Sequence, residues 1–300
     1  MSDPRLQPVA CNLCGRDDCS VRYSVNGMRL VRCNACGLSY FNPRLADEDI
    51  ARIYRGDYFC NGSIRSRSGP IYGYQDYLGD KRNIQQDFSR KIDSIRGQVR
   101  RGRVLEIGCA FGFFLELMRA EGWRTEGIEP NPGAAAYASS VLGLDVGEGS
   151  FMDRDYGSET YELVAMFDVV EHLVDPKAAL LRIHRILKAD GLLVLSTVDI
   201  DSLVARALGP KWEDIRRSRC HLWMFSKKTM SRMLRECGFE ILDVSSYGKV
   251  FEVGFALRRA APYNPVLFNA LLVAARSLGI DRMNVHVDIR SKLCYHARKV

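Results

Sequence analysis

Two cysteine pairs near the N-terminus have the spacing of a metal site. Two residues separate Cys11 from Cys14 and Cys33 from Cys36, and a glycine follows the second cysteine of each pair. That glycine permits the tight turn that points both sulfurs at one ion. Four thiolates make a closed tetrahedral site, so the pattern predicts a structural zinc in a small zinc-ribbon-like module. A redox role is the weaker alternative, because neither pair lies in a βαβ context.

A second group of residues surrounds a glycine-containing turn near the middle of the chain. Gly108 and Gly112 follow the apolar run RVLEIG, and Glu129 ends the next apolar run, TEGIE. Such glycines let the backbone approach a ligand, and an acidic residue about 20 positions further on binds a ribose diol in doubly wound folds. Ala110 occupies the place of the second glycine in GxGxxG, which argues against close pyrophosphate contact. The turn therefore favours a nucleoside without phosphates over a dinucleotide.

From Arg103 onward the sequence alternates between short apolar runs and stretches with helical periodicity. These segments are the elements that position the turn. This alternation predicts a doubly wound α/β fold whose sheet is mostly parallel. Helices are predicted between the strands, with Ser226 as the N-cap of one of them. The seven predicted strands cover residues 103–108, 125–129, 144–149, 161–169, 192–198, 239–247 and 292–299.

Four segments in this part of the chain resemble successive motifs of class I S-adenosylmethionine-dependent methyltransferases, which have a Rossmann-like fold. They are VLEIGCAFGFFLELM, GIEPNP, FDVVEHLVDP and ILKADGLLVLSTV, and the resemblance spans residues 103–250. It implies that S-adenosylmethionine (SAM) is the cofactor and that Glu129 holds both ribose hydroxyls. Many relatives have an aspartate after the third strand, where this chain has Ser150-Phe151. The other implied cofactor contacts are Glu106, Gly108, Cys109, Ala110, Gly112, Phe113, Pro130, Asn131, Ser150, Phe151, Phe167 and Asp168.

The changes of pattern divide the chain into four regions. Residues 1–45 form the zinc-binding module, in which Asn26-Gly27 predicts a hairpin turn. Residues 46–102 form a helical and aromatic connector, and residues 103–254 form the SAM-binding core. Residues 255–300 contain an insertion helix and the last strand.

Candidate catalytic residues follow the fourth predicted strand. Methyl transfer is an in-line displacement that needs a base only when the nucleophile must lose a proton. Glu171-His172 is the best candidate for that base, although a packing or capping role fits these two residues nearly as well. Together with Asp168 they resemble the acidic-plus-histidine cluster of ubiquinone-pathway O-methyltransferases, some of which use a divalent cation. Magnesium is therefore a minor alternative cofactor.

A basic and aromatic loop follows the fifth predicted strand, where acceptor loops lie in the family. Its residues suit a clamp for an anionic, partly apolar acceptor, and the alternative is a solvated basic loop. His221 begins a segment that resembles the HLxxFS sequence recurrent in the family, and it is the third candidate catalytic residue. The clamp residues are Trp212, Arg216, Arg217, Arg219 and His221.

The expected reaction is methylation of an O, C or N atom of a small molecule. The zinc module resembles that of methyltransferases acting on nucleotide-linked sugars, so a sugar nucleotide, a glycan or a lipid-linked intermediate is the expected acceptor. One alternative is an RNA methyltransferase whose zinc module and basic loop bind RNA, and DNA is not expected. The near balance of 43 basic and 36 acidic residues, without a sustained basic run, counts against RNA. A non-catalytic SAM-binding scaffold is the third alternative.

The apolar segments of the sequence bear on the cellular location and the oligomeric state of the protein. No basic segment followed by an apolar run opens the sequence, so a cytoplasmic protein is expected. The apolar stretch Pro265–Ile280 is shorter than the ~20 residues of a membrane span. It predicts a helix that is buried or contacts another subunit, with peripheral membrane contact as the alternative. The expected state is a monomer or a homodimer.

Overall fold

The computed structural model describes residues 5–55, 77–261 and 263–300, so the aromatic part of the predicted connector, 56–76, lies outside the described residues. The strands are β1 (Leu6–Gln7), β2 (Cys19–Val25), β3 (Met28–Cys33), β4 (Ser39–Phe41), β5 (Arg44–Leu45), β6 (Arg103–Ile107), β7 (Arg124–Glu129), β8 (Asp145–Glu148), β9 (Tyr161–Phe167), β10 (Leu187–Val198), β11 (Trp223–Met224), β12 (Phe239–Ser246), β13 (Lys249–Glu252), β14 (Asn284–Val287) and β15 (Lys292–Lys299). The helices are α1 (Asp47–Arg55), α2 (Lys81–Ile95), α3 (Phe113–Ala120), α4 (Pro132–Ser140), α5 (Pro176–Ile186), α6 (Leu203–Leu208), α7 (Glu213–Arg216), α8 (Lys227–Glu236), α9 (Val253–Ala260) and α10 (Pro265–Ser277).

The central sheet has seven strands in the order β12-β15-β10-β9-β6-β7-β8. The strands from β6 to β10 pair in parallel, whereas β15 runs antiparallel to both β10 and β12. The prediction of a doubly wound, seven-stranded and mostly parallel sheet is therefore confirmed. Because parallel strands end at the same edge, the turns after β6, β7 and β9 meet there. We call this edge the carboxyl edge.

Side chains cap the N-termini of several helices, among them α4, α5 and α8. The side chain of Ser226 accepts a hydrogen bond from the Thr229 N–H, and the Thr229 side chain accepts one from the Ser226 N–H, so the predicted N-cap of α8 is confirmed as a capping box. Asn131 and Asp175 cap α4 and α5 in the same way, each with a proline at the first helical position. These caps fix the directions in which α4 and α5 leave the carboxyl edge.

The N-terminal module forms a second, four-stranded sheet in the order β11-β4-β3-β2. β2 and β3 form a hairpin that turns at Asn26-Gly27, both with positive φ, as the sequence predicts. The fourth strand, β11, comes from the core: Trp223 pairs with Tyr40, and their rings lie 5.5 Å apart. The module is therefore joined to the loop that contains His221 by a shared sheet.

The insertion helix α10 forms where the sequence predicts it, but its burial differs from the expectation. Ala275 is its buried residue among those described, whereas Val266 and Val273 are 84% and 63% exposed. The first alternative, an internally buried helix, is wrong, because α10 packs mainly against its neighbour α9. Contact with another subunit or with a membrane surface stays a prediction. In the part of the chain that the structure describes, no helix has the length and apolar character needed to cross a bilayer.

Candidate active site

The backbone conformation and the packing of the turn after β6 admit only small residues. Gly108 and Gly112 have φ values of 69° and 79°. A Cβ at Gly108 would lie 2.6 Å from Cγ2 of Val169, and one at Gly112 would lie 2.7 Å from Cδ1 of Leu144. Ala110 between them also has a positive φ, 48°, which costs an alanine roughly 1–2 kcal/mol. Packing against Val169 and Leu144 therefore requires glycine at positions 108 and 112, and contact of the turn with a ligand stays a prediction.

Glu129 is fixed at the end of β7 by two backbone amides. The N–H of Ala110 donates to Oε2 at 2.8 Å, and the N–H of Asn131 donates to Oε1 at 2.9 Å. Burial nevertheless raises the pKa of this carboxyl to about 7, because the two hydrogen bonds only partly offset the loss of water. The side chain is thus held rigidly where the sequence predicts ribose binding.

Glu106 is a second buried carboxyl beside Glu129. It is 2% exposed, and its Oε2 has no hydrogen-bond partner among the described residues. Burial and the field of Glu129 raise its pKa well above the ordinary value. Neither acid forms an ion pair within the described ranges, so the two carboxyls fit a ligand that carries positive charge.

Aromatic side chains flank the turn. Phe113 begins α3 and is buried, and the ring of Phe111 lies 5.4 Å from both Tyr77 and Tyr137. The sequence prediction included Phe113 but missed Phe111 and its neighbours.

The remaining implied cofactor contacts are partly packed into the core. Cys109 is 3% exposed, and Asn131 caps α4. The Phe151 ring stacks 5.2 Å from Tyr156, and Ser150 caps the short turn before it. Pro130 is half-buried and lies between Glu129 and Asn131, the N-cap of α4. Any contact of Ser150-Phe151 with a ligand stays a prediction.

Asp168, directly after β9, is surrounded by hydrogen-bond donors. The Tyr247 hydroxyl donates to Oδ1 at 2.6 Å, and the ammonium groups of Lys292 and Lys249 contact Oδ2 at 2.7 and 3.2 Å. Burial would raise the pKa of Asp168, but the two lysines hold it well below the ordinary value. Asp168 has a positive φ of 55°, and Phe167 before it packs on Phe114 with 5.0 Å between the rings.

The three candidate catalytic residues lie together behind Asp168. Nδ1 of His172 is 2.8 Å from both the Cys220 carbonyl oxygen and the Tyr54 hydroxyl, and burial lowers the pKa of this imidazole to about 4. The ring of His221 lies 4.7 Å from that of His172, and its buried Nδ1 has no partner among the described residues. Glu171 is fully buried; burial and the field of Asp168 raise its pKa to about 8. At pH 7 the imidazole of His172 is neutral.

The acidic-plus-histidine cluster proposed for magnesium is not assembled. Asp168 is bound by lysines, Glu171 accepts a hydrogen bond from Thr197 Oγ1, and His172 contacts Cys220. Among the residues that the structure describes, these three side chains do not form a candidate metal group. The magnesium alternative therefore has no ligand set in the described ranges.

The basic loop after β10 folds mainly against the protein. Trp212 is 3% exposed, and Arg217 pairs with Glu213 at 2.8 Å. Arg216 and Arg219 are exposed, and the carbonyl of Arg216 accepts a hydrogen bond from Asn26 of the N-terminal module. His221 lies beside His172, and the charge of Arg217 helps to lower the pKa of that imidazole. The clamp stays a prediction.

The four predicted metal ligands do converge. Sγ of Cys11 lies 3.3 Å from that of Cys36, and Cys14 lies 3.5 Å from Cys33 by the same measure. All four sulfurs lie within 4.8 Å of one another. A crevice of about 720 Å³ opens between this cluster and the helices α5 and α8. The donor set and its compactness fit a tetrahedral ion.

Comparison with known proteins identifies the family to which the chain belongs. Residues 81–244 match the family described as methyltransferase domain, which is more than half of the chain. The chain belongs to the methyltransferase domain family. Its cofactor is S-adenosylmethionine, as the sequence resemblance implies, and it is an enzyme.

Curated relatives of this methyltransferase include ubiquinone biosynthesis O-methyltransferases. The one from Cereibacter sphaeroides is 31% identical over 200 residues, which are 63% of this chain and 74% of the relative. The one from Azorhizobium caulinodans is 28% identical and is covered over 62% of its length. The mitochondrial enzyme from Schizosaccharomyces pombe is 28% identical, over 41% of this chain and 47% of that protein.

Solved structures show the same fold at low sequence identity. A chain from the complex of a methyltransferase activator with a methyltransferase of Haloferax volcanii aligns with a TM-score of 0.53 at 16% identity, over 74% of this chain and 94% of that one. A SAM-dependent methyltransferase from Thermotoga maritima aligns with a TM-score of 0.50 at 18% identity, over 75% and 93% of the two chains. These alignments establish the fold of the methyltransferase.

Sequence reasoning missed four residues at the carboxyl edge: Lys91, Tyr247, Lys249 and Lys292. Lys91 had a signal, because it shares the apolar helix face of Phe88, Ile92 and Ile95 at spacings of three and four. Lys249 and Lys292 had none, since they reach Asp168 from 81 and 124 residues away. Their positions depend on how β13 and β15 pack against the methyltransferase core.

Proposed function

We propose that this methyltransferase transfers a methyl group to an oxygen atom of a small-molecule acceptor. The observation that carries the proposal is the pair of buried carboxyls at the cofactor turn, Glu106 and Glu129, neither of which forms an ion pair within the described residues. The names of the curated relatives support oxygen as the methylated atom. Glu129 would hold the ribose, and Glu106 would face the positively charged part of SAM. When bound, SAM supplies an electrophilic methyl group.

We assign His172 the role of base for the acceptor hydroxyl. If Nδ1–H donates to the Cys220 carbonyl, Nε2 keeps the lone pair that a base needs. A pKa of about 4 keeps that lone pair unprotonated at pH 7, whereas Glu171, with a pKa of about 8, is protonated there. The Tyr54 hydroxyl contacts the same Nδ1, and the His221 ring packs edge-on against the imidazole, so both help to orient it.

The acceptor class also belongs to this proposal. A sugar nucleotide, glycan or lipid-linked intermediate was expected from the zinc module, but none of the relatives described above is named for one. Aromatic rings at the carboxyl edge, those of Phe88, Phe167 and Tyr247, favour an acceptor whose hydroxyl is on a ring. We therefore propose a ring hydroxyl as the nucleophile.

We further propose that the four cysteines bind one structural zinc ion. The ion would hold the turns of β3 and the N-terminal segment together, and through β11 it would support the loop that contains His221. Metal analysis of Cys14→Ser protein tests this assignment. Loss of zinc is expected, and a zinc content equal to that of the wild type would contradict it.

Calorimetric titration of the zinc-replete protein with S-adenosylhomocysteine tests the cofactor site. One-to-one binding is expected in the wild type, with at least about a hundredfold loss in Glu129→Ala, or ~2.7 kcal/mol. The matched control is Glu240→Ala, an exposed glutamate on β12, which should bind normally. Absence of binding by folded wild-type protein would refute the proposed function. Methyl transfer to phenolic acceptors is then assayed on the same samples.

A further inference from the structure

The two cysteine pairs of the N-terminal module have nearly the same sequence but different surroundings. Asn12-Leu13 lies between the cysteines of the first pair, and Asn34-Ala35 lies between those of the second. Leu13 is 1% exposed and belongs to a buried cluster that it shares with residues of α5 and α8, whereas Asn34 and Ala35 are exposed. The first pair is therefore docked on the methyltransferase core.

The side chain of Asn12 connects the first cysteine pair to the start of α5. Its Nδ2 donates a hydrogen bond to Oδ1 of Asp175 at 2.8 Å, and its Oδ1 accepts one from the Lys177 N–H at 2.9 Å. The Lys177 ammonium group also donates to the Leu13 carbonyl at 3.1 Å. An amide donates and accepts at once, so an asparagine suits both partners. The module thereby holds residues 175–177, which begin three positions after His172.

The loop that leads into β11 connects the module to the same segment at a second place. β11 itself pairs with β4 of the module. The Leu222 N–H donates a hydrogen bond to the Glu171 carbonyl at 2.8 Å, and the Nε1–H of Trp223 donates one to the Leu173 carbonyl, also at 2.8 Å. These two carbonyls belong to the residues on either side of His172.

These contacts hold the main chain of His172 from both sides. Its N–H donates to the Val169 carbonyl at 2.8 Å, so the peptide group between Glu171 and His172 is hydrogen-bonded at its C=O and at its N–H. Nδ1 of the imidazole lies 2.8 Å from the carbonyl of Cys220, which belongs to the same loop before β11. A base must lie within hydrogen-bond reach of the proton that it takes, so this restriction bears directly on methyl transfer.

We infer that the N-terminal module positions the imidazole of His172, with Asn12 and Trp223 as the positioning residues. The inference rests on the proposed function, in which His172 is the base for the acceptor hydroxyl. Asn12 acts through the start of α5, and Trp223 acts through the Leu173 carbonyl. A misplacement of about 1 Å slows an enzymatic reaction strongly, so cutting either connection lowers kcat.

Nuclear magnetic resonance of the histidine rings tests the Asn12 connection in the zinc-replete protein. The chain has five histidines, and the Cε1–H signal that disappears in His172→Gln is that of His172. This signal is expected to shift or broaden in Asn12→Ala, because the ring samples more than one orientation. The matched control is Asn34→Ala, since Asn34 bonds to Asp18 and Ser20 inside the module. There the His172 signal should coincide with that of the wild type.

A second variant tests the Trp223 connection independently. Trp223→Phe keeps an aromatic ring beside Tyr40 but loses the hydrogen bond to Leu173, and the His172 signal should again shift or broaden. In both variants kcat for methyl transfer to catechol should fall about tenfold, while the zinc content is unchanged and S-adenosylhomocysteine affinity stays within about twofold. Asn12→Asp, which keeps the acceptor for the Lys177 N–H and loses the donor to Asp175, replaces Asn12→Ala if the latter does not retain zinc.

Two results would overturn the positioning role. One is a His172 signal that is unchanged in the Asn12 variant or in Trp223→Phe. The other is an equal change in Asn34→Ala, because the effect would then come from general loosening of the module. The proposed function fails in a different way: wild-type kcat in His172→Gln would show that His172 is not the base, even if its signal responds to both connections. The two failures are therefore distinguishable.

Discussion

The two halves of the carboxyl edge use carboxyl groups in opposite ways. On the cofactor half, Glu106 and Glu129 are buried without a basic partner among the described residues, and their pKa values are raised. On the acceptor half, Asp168 is bound by Lys249 and Lys292, and its pKa is lowered. The same functional group is thus set to different charge states by its neighbours alone.

This difference bears first on the cofactor that the enzyme binds. SAM carries a sulfonium and an ammonium group, and the carboxyls of Glu106 and Glu129 form no ion pair within the described residues. At Asp168, in contrast, two ammonium groups contact one carboxylate oxygen. The two halves therefore present a ligand with different electrostatic surroundings.

The largest expected effect is on the pH dependence of stability in the ligand-free protein. The pKa of Glu129 is about 7 in the folded state against an ordinary value of 4.5, so the folded protein keeps a proton that the unfolded chain releases. Stability is therefore full below pH 4.5 and falls as pH rises to 7, by about 3 kcal/mol. Urea unfolding of the wild type and of Glu129→Gln between pH 5 and 8 gives the free energy of unfolding of each protein. The contributions of the other titrating groups cancel in the difference between the two. Parallel curves would show that Glu129 does not titrate in this range.

A paired comparison tests the two halves directly. Asp168→Asn removes the counter-charge of two lysines and is expected to lower the free energy of unfolding by about 2 kcal/mol at pH 7. Glu106→Gln removes a carboxyl that has no cation and is expected to change it by less than about 1 kcal/mol, or to raise it. Equal losses in the two variants would contradict the proposed difference in electrostatic environment.

Features encoded over short stretches were predictable from the sequence. The seven strands, the glycine turn and the position of Glu129 follow from periodicity and from spacings of about 20 residues. The Ser226 cap and the Asn26-Gly27 hairpin are likewise local, and the structure confirms both.

Features that depend on contacts between distant segments were not predictable. β11 completes the sheet of the N-terminal module although about 180 residues separate it from β4. No local sequence pattern predicts that pairing. Lys292 reaches Asp168 only because β15 is inserted antiparallel between β10 and β12. Lys91 was the exception, since a lysine on the apolar face of α2 is a visible signal.

The next effect in size concerns discrimination between SAM and its product. If Glu106 faces the positive part of the cofactor, Glu106→Gln should weaken SAM binding by about tenfold, or ~1.4 kcal/mol, and S-adenosylhomocysteine binding by less, because the product lacks the sulfonium charge. Calorimetry with both ligands gives the ratio of affinities. An equal loss for the two ligands would place Glu106 near the ammonium group instead of the sulfonium.

The smallest expected effect concerns the basic loop and tests the predicted arginine clamp. Arg216 is exposed, and its carbonyl rather than its side chain makes the recorded contact with Asn26. Arg216→Ala should therefore change the KM of the acceptor by less than about twofold, or ~0.4 kcal/mol. A larger change in KM at constant kcat would mean that the acceptor's anion reaches this loop. The predicted clamp would then form part of the acceptor site, although Arg216 lies outside the group of buried residues around Asp168.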